Sequence, residues 1–148
     1  MGTRGAEQVS TPYTVQKWSV VGDLLISVTS AGVVSDQDWQ QFMKALRTEP
    51  VTKYLAGTLG KAEATSTQRK EGAEVMMRRG LRVAVITDDA ITRGIITAVG
   101  WLGANVSSFN WSNIDAALSY LNVTEVQASR AHDTLAILRA AVETAKRS

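Results

Sequence analysis

The sequence predicts an α/β domain built on a largely parallel sheet. Between Leu81 and Leu121, short apolar runs alternate with helical patterns. Leu81, Val83, Val85 and Ile86 form one run, which stops at Thr87-Asp88-Asp89. Ile91, Ile95, Val99 and Leu102 then recur on one face of a helix. Val106 to Phe109 is a second run, and Ile114, Ala117, Leu118 and Leu121 mark a second helix. Strands separated by helices pair in parallel, because a parallel connection needs a crossover of about a dozen residues or more. The same alternation extends towards the N-terminus. The expected architecture is a mixed, mostly parallel five-stranded sheet flanked by helices, with an extra C-terminal amphipathic helix.

The chain of 148 residues suits one domain with a sizeable core. Residues 1–14 are polar and aperiodic and read as a flexible tail, 15–122 as the α/β domain, and 123–148 as the added helix. Trp18, Val20 and Val21, then Gly22-Asp23, then Leu24 to Val28, read as a β-hairpin. Ser35, with Asp38 three residues on, caps a helix carrying Trp39, Phe42, Met43 and Leu46 on one face, and Pro50 stops it. Thr52 to Leu59 is the next strand and Gly60 to Ala64 a loop. Thr65 and Gln68 have the spacing of a capping box, so a helix starts there; its core side is Ala73, Met76 and Met77, and it ends at Gly80. Asn122 closes the helix through Leu121. Thr124 and Gln127 form a second capping box, ahead of Val126, Ala131, Leu135, Leu138 and Val142.

Composition excludes several classes of function. A net charge of +2 and scattered basic residues do not make a nucleic-acid surface. Without cysteine there is no disulfide, thiolate metal site or cysteine nucleophile, which suits a reducing cytoplasm. A single histidine, His132, excludes a His-rich metal site. No apolar run reaches the roughly 18 residues of a membrane span. No cofactor is expected.

Each chemical motif has a plainer reading beside the functional one. His132 lacks a nucleophile-elbow partner in the sequence and reads as a rim residue. Asp88 and Asp89 end a central strand, where two carboxylates could hold Mg²⁺; the simpler reading is a cap for the helix from Ala90. Gly57-Thr58-Leu59-Gly60-Lys61 has the wrong spacing for a nucleotide phosphate loop. Thr65, Ser66 and Thr67 put three hydroxyls at a helix start, with Arg69 and Lys70 in the first turn. Cations are disfavoured at that end, so a phosphorylation or anion site is the functional reading; the plainer and preferred one is a capped, solvated helix start with incidental basic residues. The helix from Ala90 to Gly103 has a narrow polar arc of Thr92, Arg93 and Thr97, with Trp101 on one flank and Ile96 on the other. Ile96, Trp101 and Arg93 are therefore candidate protein-interaction residues, unless the last helix covers them.

The order of elements resembles the STAS domain, the family of the anti-sigma-factor antagonists. The likeness is greatest to the STAS-like branch grouped with the lipid-binding CRAL-TRIO domains. It is carried by Val83-Ala84-Val85-Ile86-Thr87-Asp88, Arg93-Gly94, Phe109 and Ala116-Ala117-Leu118-Ser119-Tyr120-Leu121. The front half adds Trp18 to Ile26 and Trp39-Gln40-Gln41-Phe42. The resemblance implies a non-catalytic, cytoplasmic interaction module of a bacterial regulatory or assembly system, with a protein partner or self-association. In the sigma-antagonist branch a kinase phosphorylates a residue at the helix start after the third strand, which corresponds here to Thr65 to Thr67. Glu63-Ala64-Thr65-Ser66 replaces the family's Asp-x-Ser-Gly form. The alternative function is a carrier or sensor of a small apolar ligand, held between sheet and helices near Trp101 and Met76.

Overall fold

The structure is a computed structural model that describes residues 13–147. Five strands form one sheet, in chain order across it: β1 (Gln16–Val21), β2 (Leu24–Val33), β3 (Lys53–Glu63), β4 (Arg82–Ile86) and β5 (Val106–Phe109). β1 pairs antiparallel with β2 through the turn at Gly22-Asp23, and all other pairs are parallel. Gly22 has φ +63°, a conformation glycine adopts without a Cβ penalty. Of the stretch read as a tail, residues 1–12 lie outside the described residues. Tyr13 and Thr14 lie along the sheet, where the Thr14 N–H donates to the Val33 carbonyl at 3.0 Å.

The helices α1 (Asp36–Thr48), α2 (Ser66–Arg79) and α3 (Ala90–Trp101) link successive parallel strands. Because the strands advance in one direction, right-handed crossovers place all three helices on one face. α4 (Ile114–Leu121), after a 3₁₀ turn at Trp111–Asn113, and α5 (Glu125–Arg147) cover the other face. Strand alternation supplies both cores. Leu25, Tyr54, Val83 and Val85 meet Phe42, Met43, Leu46 and Val75 on the α1–α3 side. Leu24, Ile26, Val28, Leu55, Ala84 and Ile86 meet Ala117, Leu118, Leu121, Ala131, Leu135, Leu138 and Val142 on the α4–α5 side. Central strands apolar on both faces are what a sheet buried from two sides requires.

The caps read from sequence are present. The Ser35 hydroxyl accepts from Asp38 N–H, Gly80 has φ +62°, and Asn122 has φ +58°. At α5 the Thr124 hydroxyl accepts from Gln127 N–H, but the Gln127 amide reaches Val21 O and Asp23 Oδ1 instead of closing a box. Val126 is exposed, so the apolar stripe of α5 begins at Ala131.

Two readings need correction. The stretch 60–63 is strand, not loop: β3 continues to Glu63 beside Gly32 and Val33, past a register shift, with Gly60 at φ +87°. The core side of α2 includes buried Val75 and Gly72, while Met77 is 42% exposed. Gly72 is small for a reason: a Cβ there would lie 3.2 Å from the Trp39 ring.

Candidate functional site

The start of α2 has the predicted capping box. Thr65 Oγ1 accepts from Gln68 N–H at 3.0 Å, and Gln68 Oε1 accepts from Thr65 N–H at 2.9 Å. Gln68 is buried, and its Nε2 also donates to Val34 O and Asp36 Oδ1. The Thr65 hydroxyl is thus engaged in holding the helix, although the residue is exposed. Ser66, Thr67, Arg69 and Lys70 are exposed at the same end. No acidic residue stands in the first turn of α2. Arg69 Nη1 donates to Ala64 O at 2.6 Å, which folds the guanidinium back over the helix start.

α3 is anchored at its first residues. Asp89 Oδ2 accepts from both Thr92 N–H and Thr92 Oγ1–H, at 2.8 and 2.7 Å. These bonds hold the Asp89 carboxyl below the usual aspartate value. Asp88 Oδ1 accepts from Trp111 N–H. The adjacent carboxylates therefore serve two different loops, as the capping reading expects for Asp89. Among the described residues there is no group of three or more His, Cys, Asp or Glu side chains placed to hold a metal ion.

Beyond its cap, α3 packs loosely, with no buried residue. Its inward side is Thr92, Ile95, Ile96 and Val99, which face the α1–α3 core. Of the predicted core row, Leu102 is 74% exposed and points outwards, whereas Ile91, although 57% exposed, still lines the groove side with Ile95 and Val99. Ile96, taken as a flank, instead packs against the core, and Trp101 is 84% exposed. Arg93 is tied down, donating to Asn110 Oδ1 at 2.9 Å and to Thr87 O. The three candidate interaction residues thus separate: Ile96 inward, Arg93 bridging to the loop after β5, and Trp101 outward. The expectation that the last helix covers this region fails within the chain. α5 packs on β1 and β2 across the opposite sheet face, because its apolar row meets Val21, Leu24 and Ile26.

Between α3, α1, α2 and the sheet lies a groove with a cavity of about 430 Å³. Its inner wall is apolar, from Phe42, Tyr54, Met76, Val83, Val85 and Val106. Met76 lines it, as expected for an apolar pocket, whereas Trp101 does not. The polar rim comprises Gln16, Thr29, Thr58, Lys61, Asp38, Glu63 and Arg69. On the groove side Tyr54 Oη and Ser27 Oγ share a hydrogen bond of 2.7 Å, and burial pushes the Tyr54 hydroxyl pKa far up. Lys61 reaches this rim only because β3 runs on past Gly60, which the loop reading of 60–64 could not foresee.

His132 pairs with Asp115 at 2.7 Å on the outer side, tying α5 to α4. No helix among the described residues is long and apolar enough to cross a membrane.

The strand order, the single antiparallel hairpin and the helices on both faces define an α/β domain of the STAS-like, SpoIIAA-like fold. The chain is similar in structure to an uncharacterised protein from Shewanella loihica PV-4, described as a member of the DUF3478 family with a SpoIIAA-like fold. The likeness covers 78% of this chain and 99% of that one, at a TM-score of 0.50 and 12% sequence identity. At that identity it shows the fold. No protein-family model matches the chain, and neither does any curated protein.

Proposed function

We propose that this protein is a non-catalytic interaction module that binds a protein partner, or a second copy of itself, through the outer surface of α3. The supporting observation is α3 itself: twelve mostly apolar residues, none buried, ending in Trp101 at 84% exposure and followed by Leu102 at 74%. Large exposed apolar side chains grouped at one helix end favour association. The helix that could have covered them lies on the other sheet face. The start of α2 is the proposed switch. Exposed Ser66 and Thr67 beside Arg69 and Lys70 would take a phosphate with little cost to the fold, and the added charge would alter what docks there.

The test compares wild type with a Trp101→Ser, Leu102→Ser double variant. Analytical ultracentrifugation and affinity capture from host lysate are run on both. The expected result is an assembly, with itself or with a defined protein, that the variant loses at an unchanged melting temperature. Identical sedimentation and capture profiles would exclude this surface.

A further inference from the structure

We propose that the exposed side of α5 pairs two copies of this chain, the helices antiparallel, with Val126 of each copy against Ile137 of the other and Arg130 against Asp133. The inference stands on α5 alone and is independent of the outer surface of α3.

The first support is the stripe these four residues make. At 100° per residue they fall within about 60° of one another, over roughly three turns. Ala131, Leu135, Leu138 and Val142 are buried on the opposite side of the helix. Val126 and Ile137 are 72% and 68% exposed, and Arg130 and Asp133 are exposed between them. A single exposed apolar side chain is ordinary. Here two large ones frame a pair of opposite charges on one line, while the other side of the helix already anchors it to the sheet. Ala136 and Ala140 are exposed beside Ile137, and their small side chains let a second helix approach closely.

The second support is that the stripe is complementary to itself. A two-fold axis makes each residue of one copy meet its counterpart's partner in the other, reciprocally. With the axis perpendicular to α5 and midway between Arg130 and Asp133, each arginine faces an aspartate and each Val126 faces an Ile137. Parallel helices would set Arg130 on Arg130 and Asp133 on Asp133, and like charges placed together disfavour association. An antiparallel axis through Ile137 would leave Arg130 opposite Thr144 and Asp133 opposite Ala141, with neither charge matched. The charges therefore select one arrangement. Both are available for it, because within the described residues neither side chain is engaged in an ion pair or hydrogen bond. Gly22, Thr124, Val126 and Arg130 line a hollow in the surface, where Ile137 of the second copy arrives. One helix against another is a small interface, so the pair dissociates on dilution.

The experiment is sedimentation equilibrium of the full chain over a dilution series. Each protein is also made with Trp101→Ser and Leu102→Ser, which separates association through α3 from association through α5. Wild type is expected to form a dimer, and the Trp101→Ser, Leu102→Ser protein to form it equally well. Val126→Ser with Ile137→Ser should abolish it. Arg130→Asp alone, or Asp133→Arg alone, should weaken it about tenfold or more, because symmetry sets two like-charge contacts in every such dimer. An equimolar mixture of these two single variants should associate as tightly as wild type, since each supplies the charges the other lacks. Melts on dilute protein check that each variant folds. If either single variant does not, Arg130→Asp with Asp133→Arg in one chain takes its place and should dimerise like wild type. A wild type that stays monomeric at every concentration would overturn the pairing. A dimer unmoved by the Val126 and Ile137 changes would do the same, and one lost with Trp101 and Leu102 would credit α3 instead. Single charge variants that dimerise like wild type, or a mixture no tighter than its parts, would overturn the antiparallel register.

Discussion

The indole of Trp111 lies across the backbone of Gly57, so closely that a Cβ at position 57 would stand 2.8 Å from the ring. Gly57 is in the middle of β3 with ordinary strand pairing, so the close approach explains the glycine better than backbone freedom does. Trp111 is held there by its Nε1–H, which donates to Thr58 O at 2.8 Å, and by the Arg139 guanidinium over its face. Gly57→Ala is therefore expected to cost about 1–3 kcal/mol through overpacking. In a Trp111→Leu background the same change should cost distinctly less, because the clashing ring is gone. Urea unfolding of the four proteins in this double-mutant cycle measures it; equal costs in both backgrounds would dissociate the glycine from the ring.

Local chemistry was the most legible part of this chain. Ser35, Thr65, Gly80 and Asn122 mark helix ends by their own hydrogen bonding or by left-handed backbone, and the structure has each of them. What escaped depends on distant chain. Residues 60–63 look like a loop because Gly60 and Lys61 are poor strand formers, but β2 provides the ladder that keeps them extended. On α3 the helical period fixes which residues share a face. With apolar residues over most of the circumference, it cannot fix which face turns inwards, so Leu102 and Ile96 were exchanged. The side on which α5 packs follows from where α4 leaves the chain, a matter of topology. Of the candidate site, the exposed α2 start was readable from its hydroxyls, and the groove was readable only as an alternative.

Acid should destabilise the domain through three carboxylates with lowered folded-state pKa values. Asp23 accepts from the Gln127 amide and the Thr52 hydroxyl, with Lys53 at 3.6 Å. Glu71 accepts from Arg47 and Trp39, and Asp89 from Thr92. A carboxyl with a folded pKa below its unfolded value contributes stability that is present above the unfolded value. That stability is lost as pH falls through the folded value. The loss should begin near the ordinary glutamate value of 4.5, through Glu71, and deepen below the ordinary aspartate value of 3.8 as Asp23 and Asp89 follow. Asp23→Asn should lower the urea midpoint at neutral pH and flatten its fall in acid. A variant whose midpoint falls as steeply as wild type would remove Asp23 from this account.

The start of α2 combines a structural residue with exposed ones, and substitutions should separate them. Gln68 is 4% exposed and satisfies Thr65 N–H, Val34 O and Asp36 at once. Gln68→Ala leaves those groups without their partner and should cost about 1–3 kcal/mol. Ser66 and Arg69 are exposed. Ser66→Glu adds a negative charge at the positive helix end, which stabilises by roughly 0.3–1 kcal/mol. Arg69→Glu gives up the bond to Ala64 O but puts a second acidic residue in a first turn that has none. The double variant should therefore melt close to wild type, while its reversed charge weakens any association made at this helix start. Thermal melts of Gln68→Ala and of Ser66→Glu with Arg69→Glu, run beside the capture assay, separate the two effects. If the double variant loses as much stability as Gln68→Ala, the Arg69 contact is structural, and any loss of binding in that variant would no longer identify an interaction surface.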